Sequence, residues 1–217
     1  YINIGLTYNR MQDYEQAIIY FEKSLALSLD LLGPTHPQVA HCYNSLGVVY
    51  YQNGMYGLAL DYYQKALIIR KQTLSSKHPY VATSYFNIAS TYRMRGSYDE
   101  AMDYCQKGLA ILLEILGQTH PSVSSAYSQI GIILKAKKAY PLALNNLQKA
   151  CEIEQASNKP NQQRLAGYYS NIANVHLEMG AFEQALEILH NVLALQIQEK
   201  GATIEVAATH TNIGNAF

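Results

Sequence analysis

An all-α fold, a right-handed α-solenoid of antiparallel helix pairs, is predicted by three observations. The chain repeats itself every 42 residues. Its apolar residues follow helical spacing. Small residues recur at two fixed places in each repeat, where a pair of helices can approach closely. A fixed period in this range marks an array whose units contact their neighbours. Such an array offers a long curved surface rather than a central cavity, so recognition is the expected work.

The period is explicit in the residues. Gly5, Gly47, Ala89, Gly131 and Ala173 occupy one equivalent place, and Ala17, Ala59, Ala101, Ala143 and Ala185 another. His36-Pro37, His78-Pro79 and His120-Pro121 recur at the same interval. The chain reads as one array over 1–217, with a partial first repeat at 1–35. Full repeats follow at 36–77, 78–119, 120–161 and 162–202, then a partial sixth at 203–217. Partial units at both ends are expected of a piece of a longer chain.

In the first repeat, residues 1–10 match the second half of a helix. The second repeat shows the whole pattern. Tyr43, Leu46, Gly47 and Tyr50 stand at i, i+3, i+4 and i+7, a helical stripe over 37–52. Pro37 suits the first turn, where its missing N–H costs nothing. Asn53-Gly54 ends the helix, because both residues tolerate the left-handed conformation of a stop. A second helix is predicted over 56–74, with Ala59, Tyr63, Ala66 and Leu67 as its stripe and Arg70 and Lys71 at its negative dipole end. The third repeat places Cys105 where others have Phe21, Tyr63, Leu147 and Leu189, so Cys105 reads as a small core residue. The fourth carries Ala136-Lys137-Lys138-Ala139 in place of a glycine turn. In the fifth, Ser157 to Gln162 replaces the His-Pro joint, and the last joint, near Gly201, is one residue short.

Tyr14, Tyr56, Tyr98, Tyr140 and Phe182 follow the turn in each repeat and are expected to wedge into the core between units. A glycine inside a helix costs about 1 kcal/mol against alanine. Its recurrence at positions 5, 47 and 131 therefore points to close helix packing.

Taken together, Tyr43, Leu46, Gly47, Tyr50, Ala59, Tyr63 and Ala66 resemble the tetratricopeptide repeat. That repeat usually has a period of about 34. The longer period here, with the joint Gly33-Pro-Thr-His-Pro-Gln-Val-Ala40, is similar to the kinesin light chain type. The resemblance implies that the first helix of each repeat lines the concave face. Residues just before the core leucine or isoleucine then point into the groove: Asn3, Ser45, Asn87, Gln129, Asn171 and Asn212. Asn44, Ser90 and Asn174 join this set. Side-chain amides both donate and accept, so they can pair with the backbone of an extended peptide. Equally, they can hold neighbouring helices in register.

Arg93 and Lys135 are 42 residues apart, and a groove role is expected for both. Arg95, Lys137 and Lys138 lie in turns and read as cations capping helix ends. Kinesin light chains bind short acidic peptides, so the resemblance implies an acidic segment as ligand. The cationic set that grips a chaperone's terminal carboxylate in related repeats is missing here.

Other classes of function find no support. Lys plus Arg equals Asp plus Glu, 16 each, which removes the electrostatic drive of a nucleic-acid or anionic-membrane binder. No segment is apolar for long enough to span a bilayer. Cys42, Cys105 and Cys151 form no ligand cluster and suit a reducing, cytoplasmic setting. His36, His78 and His120 read as caps, not metal ligands; His176 reads as a core substitute for tyrosine, and His41, His190 and His210 are isolated. No catalytic motif appears, and Asp99, Glu100, Glu152 and Glu154 read as helix-start and helix-surface acids. No cofactor, no metal and no enzyme activity are expected. The leading expectation is an adaptor-like scaffold for a protein or peptide partner, the alternative a regulatory sensor module of a larger signalling protein. End-to-end self-association through the partial units is a third possibility.

Overall fold

The computed structural model describes residues 1–200 and residue 211, with side chains through 193 and at 211. Among these run α1 (Ile2–Arg10), α2 (Tyr14–Leu32), α3 (Pro37–Gln52), α4 (Tyr56–Thr73) and α5 (Pro79–Met94). They continue with α6 (Tyr98–Leu116), α7 (Pro121–Ala136), α8 (Tyr140–Gln155), α9 (Gln162–Glu178) and α10 (Phe182–Lys200). The helices expected over 37–52 and 56–74 are there, the second one residue shorter. The predicted sixth repeat lies outside the described residues apart from Thr211. The chain forms two compact units, Tyr1–Glu114 and Ile115–Phe217.

Helix starts follow from the His-Pro joint. His36, His78 and His120 are N-caps in extended conformation, each with proline next. Each imidazole Nδ1 accepts from the backbone N–H two residues on, at Gln38, Tyr80 and Ser122, all at 3.1 Å. The expected capping role is what these histidines perform.

Helix stops are equally regular. Met55 N–H donates to Tyr50 O at 2.8 Å, Ser97 to Tyr92 and Ala181 to His176, five residues back in each case. This is the Schellman closure, which needs a left-handed residue before the donor. Gly54, Gly96 and Gly180 supply it with φ of +75°, +80° and +75°. Gln12 and Lys138 supply it without being glycine, at φ +61° and +59°. The fourth repeat's turn thus keeps its geometry despite its sequence, with Ala139 N–H donating to Leu134 O at 2.9 Å.

Within each pair the two helices are in close contact. Ala17, Ala59, Ala101, Ala143 and Ala185 are all at 0% exposure, so no wider residue fits there. A Cβ on Gly47 would lie 2.7 Å from the Tyr63 ring, and one on Gly131 2.6 Å from Leu147. The third repeat balances its volumes differently. Ala89 goes with the smaller Cys105, while Phe86 fills the space over Gly108, whose absent Cβ would sit 2.8 Å from the ring. Burial pushes the Cys105 thiol up to about 12, as its place in the core requires.

The aromatics after the turns meet their expectation in part: Tyr14, Tyr56, Tyr98 and Tyr140 are half-buried, with Tyr14 and Tyr140 packed against core clusters, whereas Phe182 is 48% exposed. All five sit at the first residue of their helices. Another expectation is corrected. Glu154 is no surface acid. It is fully buried at the end of α8, whereas Glu152 is exposed. Its carboxylate accepts from Asn161 N–H at 2.9 Å, from Arg164 Nε and Nη2 at 3.0 and 3.1 Å, and from Ser124 Oγ at 3.0 Å. This cluster ties α7, α8 and α9 together where the His-Pro joint is missing. Asn161 takes over the cap, accepting from Arg164 N–H at 2.8 Å.

Two outcomes follow. Gly47→Ala is expected to destabilise by about 1–3 kcal/mol, because overpacking against Tyr63 exceeds the gain in helix propensity. Adding Tyr63→Leu should recover part of the loss, since the fifth repeat carries Ala173 with Leu189. Urea denaturation measures both, and a neutral Gly47→Ala would refute the close approach. The second outcome concerns pH. Burial alone would raise the Glu154 pKa, but the hydrogen bonds from Asn161, Arg164 and Ser124 outweigh it and hold the group below its ordinary value. A folded pKa below the unfolded one gives stability that is complete above the unfolded pKa and is lost as pH falls through the folded one. Glu154→Gln should cost about 1–3 kcal/mol at neutral pH and flatten the acid limb of the stability profile. An acid limb identical to wild type would rule out this assignment.

Candidate functional site

The polar residues of the first helices are brought together most clearly in the first unit. Asn87 Nδ2 on α5 donates to Asn44 Oδ1 on α3 at 3.1 Å. Asn87, Ser90 and Arg93 follow one another at three-residue spacing along α5, half-buried, on one stripe of the helix. Asn3 on α1 is exposed, and its carbonyl accepts from Thr7 Oγ1 at 2.9 Å. Ser45, expected in the groove, is instead 7% exposed, one residue before the fully buried Leu46. Asn44 takes the surface position in its place.

In the second unit, Gln129 on α7 is half-buried with its Oε1 sealed from solvent and without a hydrogen-bond partner among the described residues. Lys135 is in the last turn of α7 and is paired with Glu178 at the end of α9, Nζ to Oε1 2.9 Å. The sequence suggested a cation open to the groove; the structure gives it a carboxylate partner 43 residues on. Asn171 and Asn174 are half-buried on α9. Asn212 lies outside the described residues. Arg95, Lys137 and Lys138 fall in the turns, as expected.

Sequence reasoning missed the strongest cation. Arg70 was expected to serve the negative end of α4. It is instead 7% exposed and turned across the helix end. Its Nη1 donates to Asn44 Oδ1 at 3.3 Å, Tyr80 O at 3.2 Å and Ser84 Oγ at 2.6 Å, and its guanidinium lies 5.5 Å over the Tyr80 ring. Burial pulls its pKa down, partly opposed by Tyr80. The repeat register held a signal: Arg70 stands where Ser28, Leu112 and Glu154 stand, so a charge falls at a place that is buried in each of them. Beside it is a cavity of about 590 Å³ in the first unit, lined by α1, α3, α4 and α5. His41, exposed at its edge, borders this cavity, and partial burial, then the Arg70 charge, lower its pKa.

Among the described residues no three His, Cys, Asp or Glu side chains converge on a metal-sized site. Nor is any described helix long and apolar enough to cross a membrane. The arrangement offers amides, hydroxyls and one buried guanidinium on the surface of stacked helix pairs.

Helix pairs of this kind, stacked at a fixed period, define an all-α repeat solenoid. Tetratricopeptide repeat models match residues 1–72, 46–114 and 80–156, and a second such model matches 165–199. The chain belongs to the tetratricopeptide repeat family. No curated protein matches it. Among solved structures, it is similar to the nearly identical TPR-like repeats of a kinesin light chain-like protein from Podosopora anserina. That likeness has 21% identity, covers 92% of this chain and 95% of the other, and has a TM-score of 0.74. BtubC from P. vanneervenii is similar at 19% identity, with 92% and 79% covered and a TM-score of 0.77. Aspartyl phosphate phosphatase F from Bacillus subtilis is similar at 18% identity, with 96% of this chain but 52% of that one covered and a TM-score of 0.80. At these identities the likeness is one of fold. Repeats of this family generally mediate protein–protein interaction and are typically non-catalytic.

Asn44→Leu removes the acceptor shared by Arg70 and Asn87. It is expected to cost about 1–2 kcal/mol, the penalty for leaving a charged donor short of one partner. Hydrogen exchange should accelerate at the start of α5; unchanged stability and exchange would show that the amide does not couple the two helices.

Proposed function

We propose that this chain is an adaptor-like scaffold that holds an extended, acidic segment of a partner protein on the face formed by its first helices. The observation that carries this reading is the linked amide pair Asn44 and Asn87, continued along α5 by Ser90 and Arg93. Amides offer a donor and an acceptor to a peptide backbone of any sequence. Arg93 supplies a cation on the same stripe, and Arg70 adds positive potential behind it. In the second unit, Asn171 and Asn174 lie on α9, and Glu178 at the end of that helix already engages the Lys135 ammonium. An acidic side chain would have to displace that carboxylate, so the first unit is the stronger half of the proposal. The chain acts by recognition rather than catalysis. Buried thiols at Cys42 and Cys151, outside any disulfide, support a cytoplasmic setting.

The test is binding of an acidic peptide library to the whole chain, wild type against Asn87→Ala/Arg93→Ala, with Lys135→Ala as a separate variant. Selected peptides should bind the double variant about tenfold or more weakly, the worth of one charge-assisted hydrogen bond. Lys135→Ala should change binding far less. Affinity unchanged in a folded Asn87→Ala/Arg93→Ala protein would eliminate the α5 stripe as the binding face.

A further inference from the structure

Among the described residues, Arg70 is a buried cation without a carboxylate partner. No Asp or Glu pairs with it among the described residues. Taking a charge out of water is costly unless it is paired, and the partners of Arg70 are all neutral: an amide, a backbone carbonyl and a hydroxyl. All three bonds also leave through one nitrogen, Nη1. Nε and Nη2 form none among the described residues. Arg70 also lines the cavity of about 590 Å³ in this unit. The Nε and Nη2 edge is the one that grips an oxyanion with two parallel hydrogen bonds.

The other walls agree. The lining holds no aspartate or glutamate. His36 contributes a donor whose identity is set by its cap. Its Nδ1 must carry a lone pair to accept from Gln38 N–H, so in the neutral ring the proton is on Nε2. His36, His41 and the Gln38 amide line the cavity from α3 and its cap, while Arg70 comes from the end of α4. The candidate donors come from two elements, the start of α3 and the end of α4, and so approach the cavity from different sides. A carboxylate presents two oxygens in one plane, whereas a phosphoryl group presents three on a pyramid and carries nearly twice the charge.

We propose that this cavity is a phosphoryl-binding site, which receives a phosphoserine or phosphothreonine side chain of the bound partner segment. The proposal rests on the peptide-scaffold reading for the source of the phosphoryl group, but not for the site itself. Asn44 links the two, since it lines the cavity and is bonded to Asn87 on the α5 stripe. A segment lying along Asn87 and Ser90 would reach the cavity at Asn44. Phosphorylation of the partner would then switch its affinity by placing an oxyanion beside Arg70.

The experiment titrates the whole chain with inorganic phosphate and, separately, with acetate, and follows the histidine and arginine side-chain resonances. Phosphate is expected to shift His36, His41 and Arg70 saturably, while acetate at the same concentration leaves them in place. Two variants remove donors, and circular dichroism is used to confirm that each is folded. His36→Asn preserves the N-cap but deletes the Nε2–H group. Arg70→Lys keeps the charge but removes the Nε and Nη2 fork. Each should weaken phosphate by about tenfold, the loss expected for one charge-assisted hydrogen bond. No shift with phosphate, an equal response to acetate, or an affinity unchanged in both variants would overturn the site. The source is tested with phosphoserine peptides against their unmodified forms. A gain of about tenfold that disappears in Arg70→Lys supports a phosphorylated partner. Phosphate binding with no preference for the phosphopeptide would overturn that source and assign the site to free phosphate. Because the phosphate titration uses no peptide, failure of the scaffold reading and failure of the site give different results.

Discussion

The close approach of two helices within each repeat is the constraint on which the rest depends. It is set by residues that lack side-chain bulk. Gly47 leaves room for the Tyr63 ring, and Ala59 is at 0% exposure on the opposite helix. Once the pair is that close, the polar ends of the helices must also be brought close, and their orphan N–H and C=O groups need partners. The recurring His-Pro caps and the five Schellman closures supply them. The volumes can be redistributed, as Phe86 over Gly108 shows, but the sum is kept. Packing thus fixes the backbone, and the backbone leaves the outward face of the first helices free to vary.

Much of this was legible from the chain. The period located the equivalent places, and the helix limits at 37 and 52 followed from Pro37 and Asn53-Gly54. Capping by His36, His78 and His120 was readable because a residue repeated once per unit before a proline has a structural cause. What periodicity cannot reveal is an exception. Arg70 and Glu154 look like ordinary polar residues in the last turns of helices. Only their register, in line with each other and with Leu112, marks them as buried. A partner distant in sequence hides the Lys135 pair with Glu178 in the same way. The turn at Lys138 is the reverse case: the sequence departs from the pattern, yet the Schellman closure survives, because one strained left-handed residue costs less than losing the stop.

The amides are where the candidate site and the scaffold cannot be separated by sequence. Asn44 and Asn87 were open to two readings, peptide contact or register between helices. The structure shows that the register role is real, since the two amides bond each other at 3.1 Å. It leaves them further capacity, because a primary amide has two N–H donors and an acceptor with two lone pairs. Arg70 takes one of those lone pairs on Asn44. The pair is therefore held in place before any ligand arrives. A preorganised amide loses less side-chain entropy on binding than a mobile one, which favours affinity without adding contacts.

Arg70 and Glu154 can be understood as one device used with opposite signs. Both stand at the same place in their repeats, near the end of the second helix, and both reach across to the start of the following helix. Glu154 finds a full complement: a guanidinium, a backbone N–H and a hydroxyl saturate its two oxygens. Its energetics close within the protein, and the result is a joint. Among the described residues Arg70 finds only neutral acceptors, all on one nitrogen, and it lines a cavity. A buried cation whose partners among the described residues are all neutral gains from an oxyanion that pairs with it, which is the free energy on which the proposed site would draw. The same position in the repeat thus yields a structural tie where the charge is answered internally, and a receptor where it is not.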